Sequence, residues 1–190
     1  MDYIDICKKT GALLEGRFIL TSGLQSPNYF QCAKVLQYPE VLEGLAKSIA
    51  KEFEFDEIDL VISPAVGGIV FGTEVGRQLK KRTIFAERQE GQMTLRRGFE
   101  ISKGQRVLVV EDVVTTGGSV EEVISVVKEY GGEVVGVGFI VDRSNGAKIF
   151  NVPKQHSLMK MEVKTYKPEE WPEELSHLEA VKPGSRGLKK

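Results

Sequence analysis

From residue 59 onward the apolar positions repeat in a fixed order: a short continuous run, a turn holding glycine, then a stretch with apolar residues three and four apart. The runs are Leu60-Val61-Ile62, Thr83-Ile84-Phe85-Ala86, Val107-Leu108-Val109-Val110 and the segment from Val134 to Val141. Apolar character without alternation is what a strand buried on both faces of a parallel sheet requires. Between the runs, Gly67 to Lys81 and Ser119 to Tyr130 read as helices. The second carries Val120, Val123, Ile124 and Val127 on one side and ends at Gly131-Gly132, a place for a left-handed cap. Upstream, Pro39 opens another amphipathic helix whose stripe is Val41, Leu42, Leu45, Ala46, Ile49, Ala50 and Phe53. Strands alternating with helices predict an α/β fold, a mostly parallel twisted sheet flanked by helices and wound by right-handed crossovers.

The pattern weakens in three places. Residues 1–16 hold a modest helical pattern (Tyr3, Ile6, Cys7, Leu13, Leu14) broken around Gly11 and Gly16, and residues 18–30 mix short apolar runs with turn residues, as a small β-rich or irregular segment does. Glu87 to Gly98 is polar and has no helical stripe. A long polar insertion in an α/β core predicts a functional lid or a mobile loop, with an exposed β-ribbon of no chemical consequence as the plain alternative. From Lys164 on, Pro168, Pro172, Pro183 and many charges predict an appendage with short helical turns around 172–178 and a frayed 182–190 end. The expected organisation is one domain over 1–190: an N-terminal segment at 1–35, an α/β core at 36–163 with a flexible loop at about 87–104, and the appendage at 164–190.

Composition narrows the function. The 190 residues are 41% hydrophobic, and 26 basic side chains nearly balance 27 acidic ones, for a net charge of −1. A nucleic-acid binder announces itself by a basic excess, which is absent. No apolar run approaches the roughly 18–20 residues that span a bilayer, and Met1 to Asp5 lacks the order of a secretory signal. Cys7 and Cys32, without such a signal, read as reduced thiols. Together with His156 and His177 they have no zinc-ligand spacing. The expectation is a cytoplasmic globular protein.

The chemistry concentrates between Val107 and Ser119. A buried run delivers two adjacent carboxylates, Glu111 and Asp112, to the C-terminal end of a strand, where open α/β sheets bind ligands. Val113 and Val114 follow, then Thr115-Thr116-Gly117-Gly118-Ser119, which leads into a helix N-terminus whose unpaired amides and dipole favour phosphate. Acceptors for sugar hydroxyls beside donors for a phosphate suit a phosphorylated sugar. The plain alternative is a strand, a turn and an N-cap with solvated acids.

These thirteen residues resemble the phosphoribosyl-pyrophosphate motif of the type I phosphoribosyltransferases: four apolar residues, an acidic pair, two apolar residues and a Thr/Gly-rich turn. The resemblance extends over about residues 10–150. Phe18 to Gly23, with Ser26-Pro27 and Tyr29-Phe30, resembles the N-terminal hood of the orotate branch. Asp142-Arg143 resembles that branch's orotate-binding arginine, and Ser63 to Gly68 its pyrophosphate loop. The resemblance implies the type I fold with hood and β-ribbon loop, and transfer of the 5-phosphoribosyl group from phosphoribosyl pyrophosphate to orotate with release of pyrophosphate. It implies catalytic roles for Glu111, Asp112, Arg88 and Arg96. Phosphoribosyl pyrophosphate would be held by residues 111–119, Ala65, Val66, Gly67 and Arg88, and orotate by Thr115, Arg143, Tyr29, Phe30 and Thr21. Mg²⁺ would be held mainly by substrate oxygens, and the protein would be a homodimer with neither nucleic-acid nor membrane partners.

The chain departs from the family at informative positions. Thr21 and Gly67 stand where many relatives carry lysine, and the 87–98 loop has no lysine or histidine, so Arg96 and Arg97 are the candidate substitutes beside Arg88. Two other readings stay open: a type I enzyme for another base (a purine or xanthine), and a regulator that senses phosphoribosyl pyrophosphate without catalysis.

Overall fold

The computed structural model describes residues 3–20, 23–144, 146–162 and 164–182. In chain order the first elements are α1 (Tyr3–Lys9), β1 (Leu13–Ile19), β2 (Gln25–Phe30), α2 (Ala33–Leu36), α3 (Pro39–Glu52), β3 (Leu60–Pro64) and α4 (Gly67–Leu79). They are followed by β4 (Arg82–Gln89), β5 (Gln92–Leu95), β6 (Arg106–Val114), α5 (Gly118–Glu129), β7 (Glu133–Asp142), β8 (Gln155–Lys160) and β9 (Ala180–Val181). They form two compact units, Leu36–Met161 and Met1–Val35 with Glu162–Lys190.

The larger unit is built on a six-stranded sheet of order β5-β4-β3-β6-β7-β8. Neighbours are parallel except for the antiparallel β4–β5 pair. The apolar runs are strands because both sheet faces are covered: every residue of β3 is buried, and Val107 to Val110 of β6 are fully enclosed. Leu60, Ile62, Val107, Val109, Val137 and Phe139 pack with Val120, Val123 and Val127 of α5. Alternation turns their neighbours to the other face. There Gly136 and Gly138 of β7 lie beneath Ile49 and Phe53 from α3 and its cap, and Gly72 of α4 lies against Ser63. So α3 and α4 cover one face and α5 the other.

The smaller unit is a three-stranded sheet, β2-β1-β9. The helical pattern at 1–16 stops early: α1 ends at Lys9, and Leu13 and Leu14 belong to β1. Gly11 at φ 66° turns the chain, with the Ala12 N–H donating to Cys7 O at 2.8 Å. The C-terminal segment folds onto this sheet. Residues Ala180 and Val181 pair with Arg17 and Phe18, and Tyr166 exchanges backbone hydrogen bonds with Gln25, both at 2.8 Å. Within 172–178 a 3-10 turn forms at Glu173–Leu175, and a further one lies upstream of that range at Pro168–Glu170. Residues 183–190 lie outside the described residues.

Arg17 ties the unit together. Its Nε donates to Gln25 Oε1 at 2.8 Å, and its guanidinium lies 5.0 Å over the ring of Trp171, the chain's single tryptophan. Replacing Arg17 by methionine should cost about 1 kcal/mol and red-shift the Trp171 emission as the ring meets water. Unchanged emission would contradict the contact.

Candidate functional site

Strand order places the site. β3 runs through α4 to β4 on one side, while β6 runs through α5 to β7 on the other. The carboxyl ends of β3 and β6 therefore flank the switch point of the sheet, where the two chain paths diverge and leave a crevice. Into it project the β3–α4 turn, which holds Ala65, Val66 and Gly67, and the β6–α5 segment with Glu111 to Ser119.

The two segments touch. A Cβ placed on Gly67 would lie 3.0 Å from Asp112 Oδ2, and one on Gly68 would lie 3.0 Å from Glu111 Oε1. The start of α4 thus packs directly on both carboxylates, which explains glycine at both positions. The Ala65–Val66 peptide is cis, the Ala65 N–H donates to Ala86 O at 2.7 Å, and the Val66 side chain is 81% exposed at the crevice mouth.

Glu111 is 8% exposed and accepts from the Asp112 N–H at 3.0 Å, while Asp112 accepts from the Val113 N–H at 2.9 Å. Burial first, then the charge of Asp112 and a hydrogen bond to its side chain, push the Glu111 carboxyl up to about 9. In the empty site Glu111 therefore keeps its proton at neutral pH, and the two adjacent side chains can meet two vicinal hydroxyls. Beyond it, Glu111 and residues 113–120 enclose a pocket of about 60 Å³. Gly117 takes φ 78° there as the N-cap of α5, so the turn delivers amides and the hydroxyls of Thr115, Thr116 and Ser119 to the helix start. Such a turn can hold an anion, and the carboxyl pair beside it can pair with hydroxyls.

Arg143 follows β7, and its N–H donates to Val114 O at 2.8 Å, which fixes it beside the end of β6. The polar insertion is a hairpin: β4 continues to Gln89, turns at Glu90-Gly91 and returns as β5. Its arginines have acidic partners. Arg88 pairs with Glu122 of α5 at 2.7 Å and donates to Gly91 O at 2.9 Å. Arg97 pairs with Glu87 at 2.9 Å, and Arg96 stands 3.9 Å from the same carboxylate.

The structure therefore brings together Ala65, Val66, Gly67, Glu111 to Ser119 and Arg143. Tyr29 and Phe30 belong to the smaller unit, where Phe30 is buried and the Tyr29 ring lies 5.6 Å from that of Phe18. Thr21 lies outside the described residues. Sequence reasoning passed over Glu122, which holds Arg88, and Lys148, whose stem lies across Gly117. Neither sits at a position that periodicity or a motif marks. Among the described residues no cluster of three or more His, Cys, Asp or Glu side chains could hold a metal, and no helix is long and apolar enough to cross a membrane.

Known proteins resemble the chain in sequence and fold. Residues 33–155 match the phosphoribosyl transferase domain family. The orotate phosphoribosyltransferase of Chlorobium phaeobacteroides (strain BS1) is 58% identical over 185 residues, 97% of this chain and 95% of its own length. That of Caldanaerobacter subterraneus is 53% identical over 185 residues, 97% of each chain. The crystal structure of orotate phosphoribosyltransferase from Aeropyrum pernix superposes with a TM-score of 0.63 at 28% identity, covering 75% of this chain and 82% of that one.

Proposed function

This chain belongs to the phosphoribosyl transferase domain family, and we infer that it transfers the 5-phosphoribosyl group from phosphoribosyl pyrophosphate to orotate. The products are orotidine 5'-phosphate and pyrophosphate, a step of pyrimidine biosynthesis. The observation that carries this reading is the buried Glu111–Asp112 pair packed against the first residues of α4 and next to the α5 N-terminus, at the sheet's switch point.

The ribose 2- and 3-hydroxyls meet Glu111 and Asp112, the 5-phosphate meets the amides and hydroxyls of Thr115 to Ser119, and the pyrophosphate faces the β3–α4 turn. The forked guanidinium of Arg143 suits the planar carboxylate of orotate, with Thr115 beside it. Tyr29, Phe30 and Thr21 are the further candidates for the base. As the bond from the anomeric carbon to pyrophosphate breaks, positive charge gathers on the ribose ring, and Asp112 beneath it, joined by Glu111 as that carboxyl yields its proton to solvent, stabilises the charge. A ring nitrogen of orotate forms the new bond to the same carbon.

The Asp112 carboxylate fits Mg²⁺, which would complete its shell from substrate phosphates and hydroxyls. When bound it neutralises the leaving pyrophosphate. Arg88 and Arg96 of the hairpin supply further positive charge by exchanging their glutamate partners for pyrophosphate. Arg88–Glu122 is an exposed ion pair worth at most about 1 kcal/mol, and Arg96 stands only within 3.9 Å of the half-buried Glu87, so the exchange is cheap. Alanine at either arginine should lower kcat by about tenfold or more with the fold intact. Wild-type rates in both variants would remove the hairpin from the mechanism. The proposed setting is a cytoplasmic homodimer, checked by sedimentation.

Product analysis tests the reading. Protein, Mg²⁺ and phosphoribosyl pyrophosphate are supplied in turn with orotate, uracil, adenine, hypoxanthine and xanthine. Orotidine 5'-phosphate should be the main nucleotide formed. A purine nucleotide in its place would reassign the base, and binding of phosphoribosyl pyrophosphate without any product would make the protein a sensor.

A further inference from the structure

The pocket at the start of α5 is lined by Glu111 and residues 113–120, so its walls contribute no cationic side chain, and Glu111, Asp112 and Glu121 stand around it. A phosphate dianion there has amides, hydroxyls and the helix dipole to balance it, worth roughly half a positive charge. One lysine lies across the turn. A Cβ on Gly117 would fall 2.6 Å from Lys148 Cε and 2.9 Å from both its Cδ and Cγ, so the aliphatic stem packs flat on the αL glycine of the loop. The ammonium is one bond beyond Cε.

The backbone of Lys148 is held through both its N–H and its carbonyl. Its N–H donates to Ser144 Oγ at 3.0 Å, and that hydroxyl donates in turn to Asp142 Oδ1 at 2.6 Å at the end of β7. Its carbonyl accepts from Gln155 Nε2 at 3.1 Å. The Lys148 side chain is 20% exposed, and its ammonium pairs with Glu121 in the first turn of α5 and lies 5.3 Å over the Phe150 ring. Glu121 is 55% exposed and free to turn into water.

We propose that Lys148 is a substrate-binding residue for the 5-phosphate of phosphoribosyl pyrophosphate, its ammonium passing from Glu121 to the phosphate when the loop is filled. Gly117 serves two ends in this arrangement: it allows the left-handed turn that gathers the amides, and it leaves the space through which the lysine stem reaches the loop. Glu121 holds the cation in place while the loop is empty. The proposal rests on the placement of the 5-phosphate given above.

Calorimetric titration with ribose 5-phosphate and, separately, with inorganic pyrophosphate and Mg²⁺ tests both levels. Wild-type protein should bind ribose 5-phosphate; if it does not, the placement of the 5-phosphate itself fails. Lys148→Met keeps the stem over Gly117 and should weaken ribose 5-phosphate about tenfold, the loss of one charge-assisted contact at a partly exposed site. Pyrophosphate binding should be unchanged. Lys148→Arg should restore most of the affinity, and Glu121→Gln should tighten ribose 5-phosphate several-fold by releasing the competitor. Equal ribose 5-phosphate affinity in wild type and Lys148→Met would overturn the proposal, as would equal weakening of both ligands, which marks a structural role.

Discussion

Replacing Glu111 by glutamine will lower phosphoribosyl transfer to orotate by about 10²–10³-fold while making the protein more stable at alkaline pH. Both effects come from one environment. The carboxyl is 8% exposed and held up to about 9 by burial and by Asp112, so in the folded protein it stays protonated over a range where the unfolded chain has released the proton. Below the ordinary value of 4.5 both states carry the proton and nothing is lost. As pH rises from there toward about 9 the unfolded state alone gains by ionising, and folding stability drains away at up to about 1.4 kcal/mol per pH unit, levelling off above 9. Glutamine matches the neutral acid in shape and hydrogen bonding and removes that slope. It cannot ionise when ribose hydroxyls donate to it and positive charge develops above it, so catalysis pays where stability gains. Urea unfolding of wild type and E111Q near the two ends of that window checks the first claim, and initial rates check the second. Parallel stability curves would show that Glu111 is not held neutral.

Alanine at Gly136 will destabilise the larger unit by about 1–3 kcal/mol, lowering Tm by roughly 2–4 °C for each of these. The added methyl would fall 2.5 Å from Phe53 Cε1 and 3.1 Å from the Lys154 carbonyl oxygen. Neither can step aside. Phe53 is 1% exposed and caps α3, and the Lys154 carbonyl accepts from the Val137 N–H at 2.9 Å. Gly138 makes the same kind of contact with Ile49, at 2.9 Å from Cγ2, and should behave alike. These glycines let α3 approach β7 closely, and an unshifted melting curve for Gly136→Ala would mean that the helix has room to retreat.

The parts of the fold that the sequence reveals are those where one physical demand dominates. Strands β3, β6 and β7 are enclosed on both faces and so read as unbroken apolar runs, and Glu111, Asp112 and the Thr115–Ser119 turn stand out because acids and glycines interrupt such a run. Where demands compete, the signal fades. β8, Gln155-His156-Ser157-Leu158-Met159-Lys160, is an edge strand with one buried residue, Met159, and carries no strand-like pattern. Leu13 and Leu14 sit at helical spacing from Ile6 and Cys7, yet Gly11 ends the helix and turns them into β1. The polar stretch after Phe85 conceals that β4 simply continues and folds back on itself as a hairpin, since only Met93 and Leu95 of the returning strand turn toward the core. Lys148 is invisible in one dimension: its relation to Gly117 arises from the return of the chain after β7. The departures at Thr21 and Gly67 are legible, and for Gly67 the structure adds a reason, because Asp112 occupies the space that a side chain would need.

The central claim is that the crevice between β3 and β6 moves a phosphoribosyl group between pyrophosphate and orotate. The reverse reaction tests it most directly, because every participant is supplied and each bond change is visible. Purified protein given orotidine 5'-phosphate, pyrophosphate and Mg²⁺ should regenerate orotate, followed by its absorbance, and phosphoribosyl pyrophosphate in equal amount, with Asp112→Asn slowed at least a hundredfold. Orotate release that proceeds without pyrophosphate, or at the same rate in Asp112→Asn, would contradict the account.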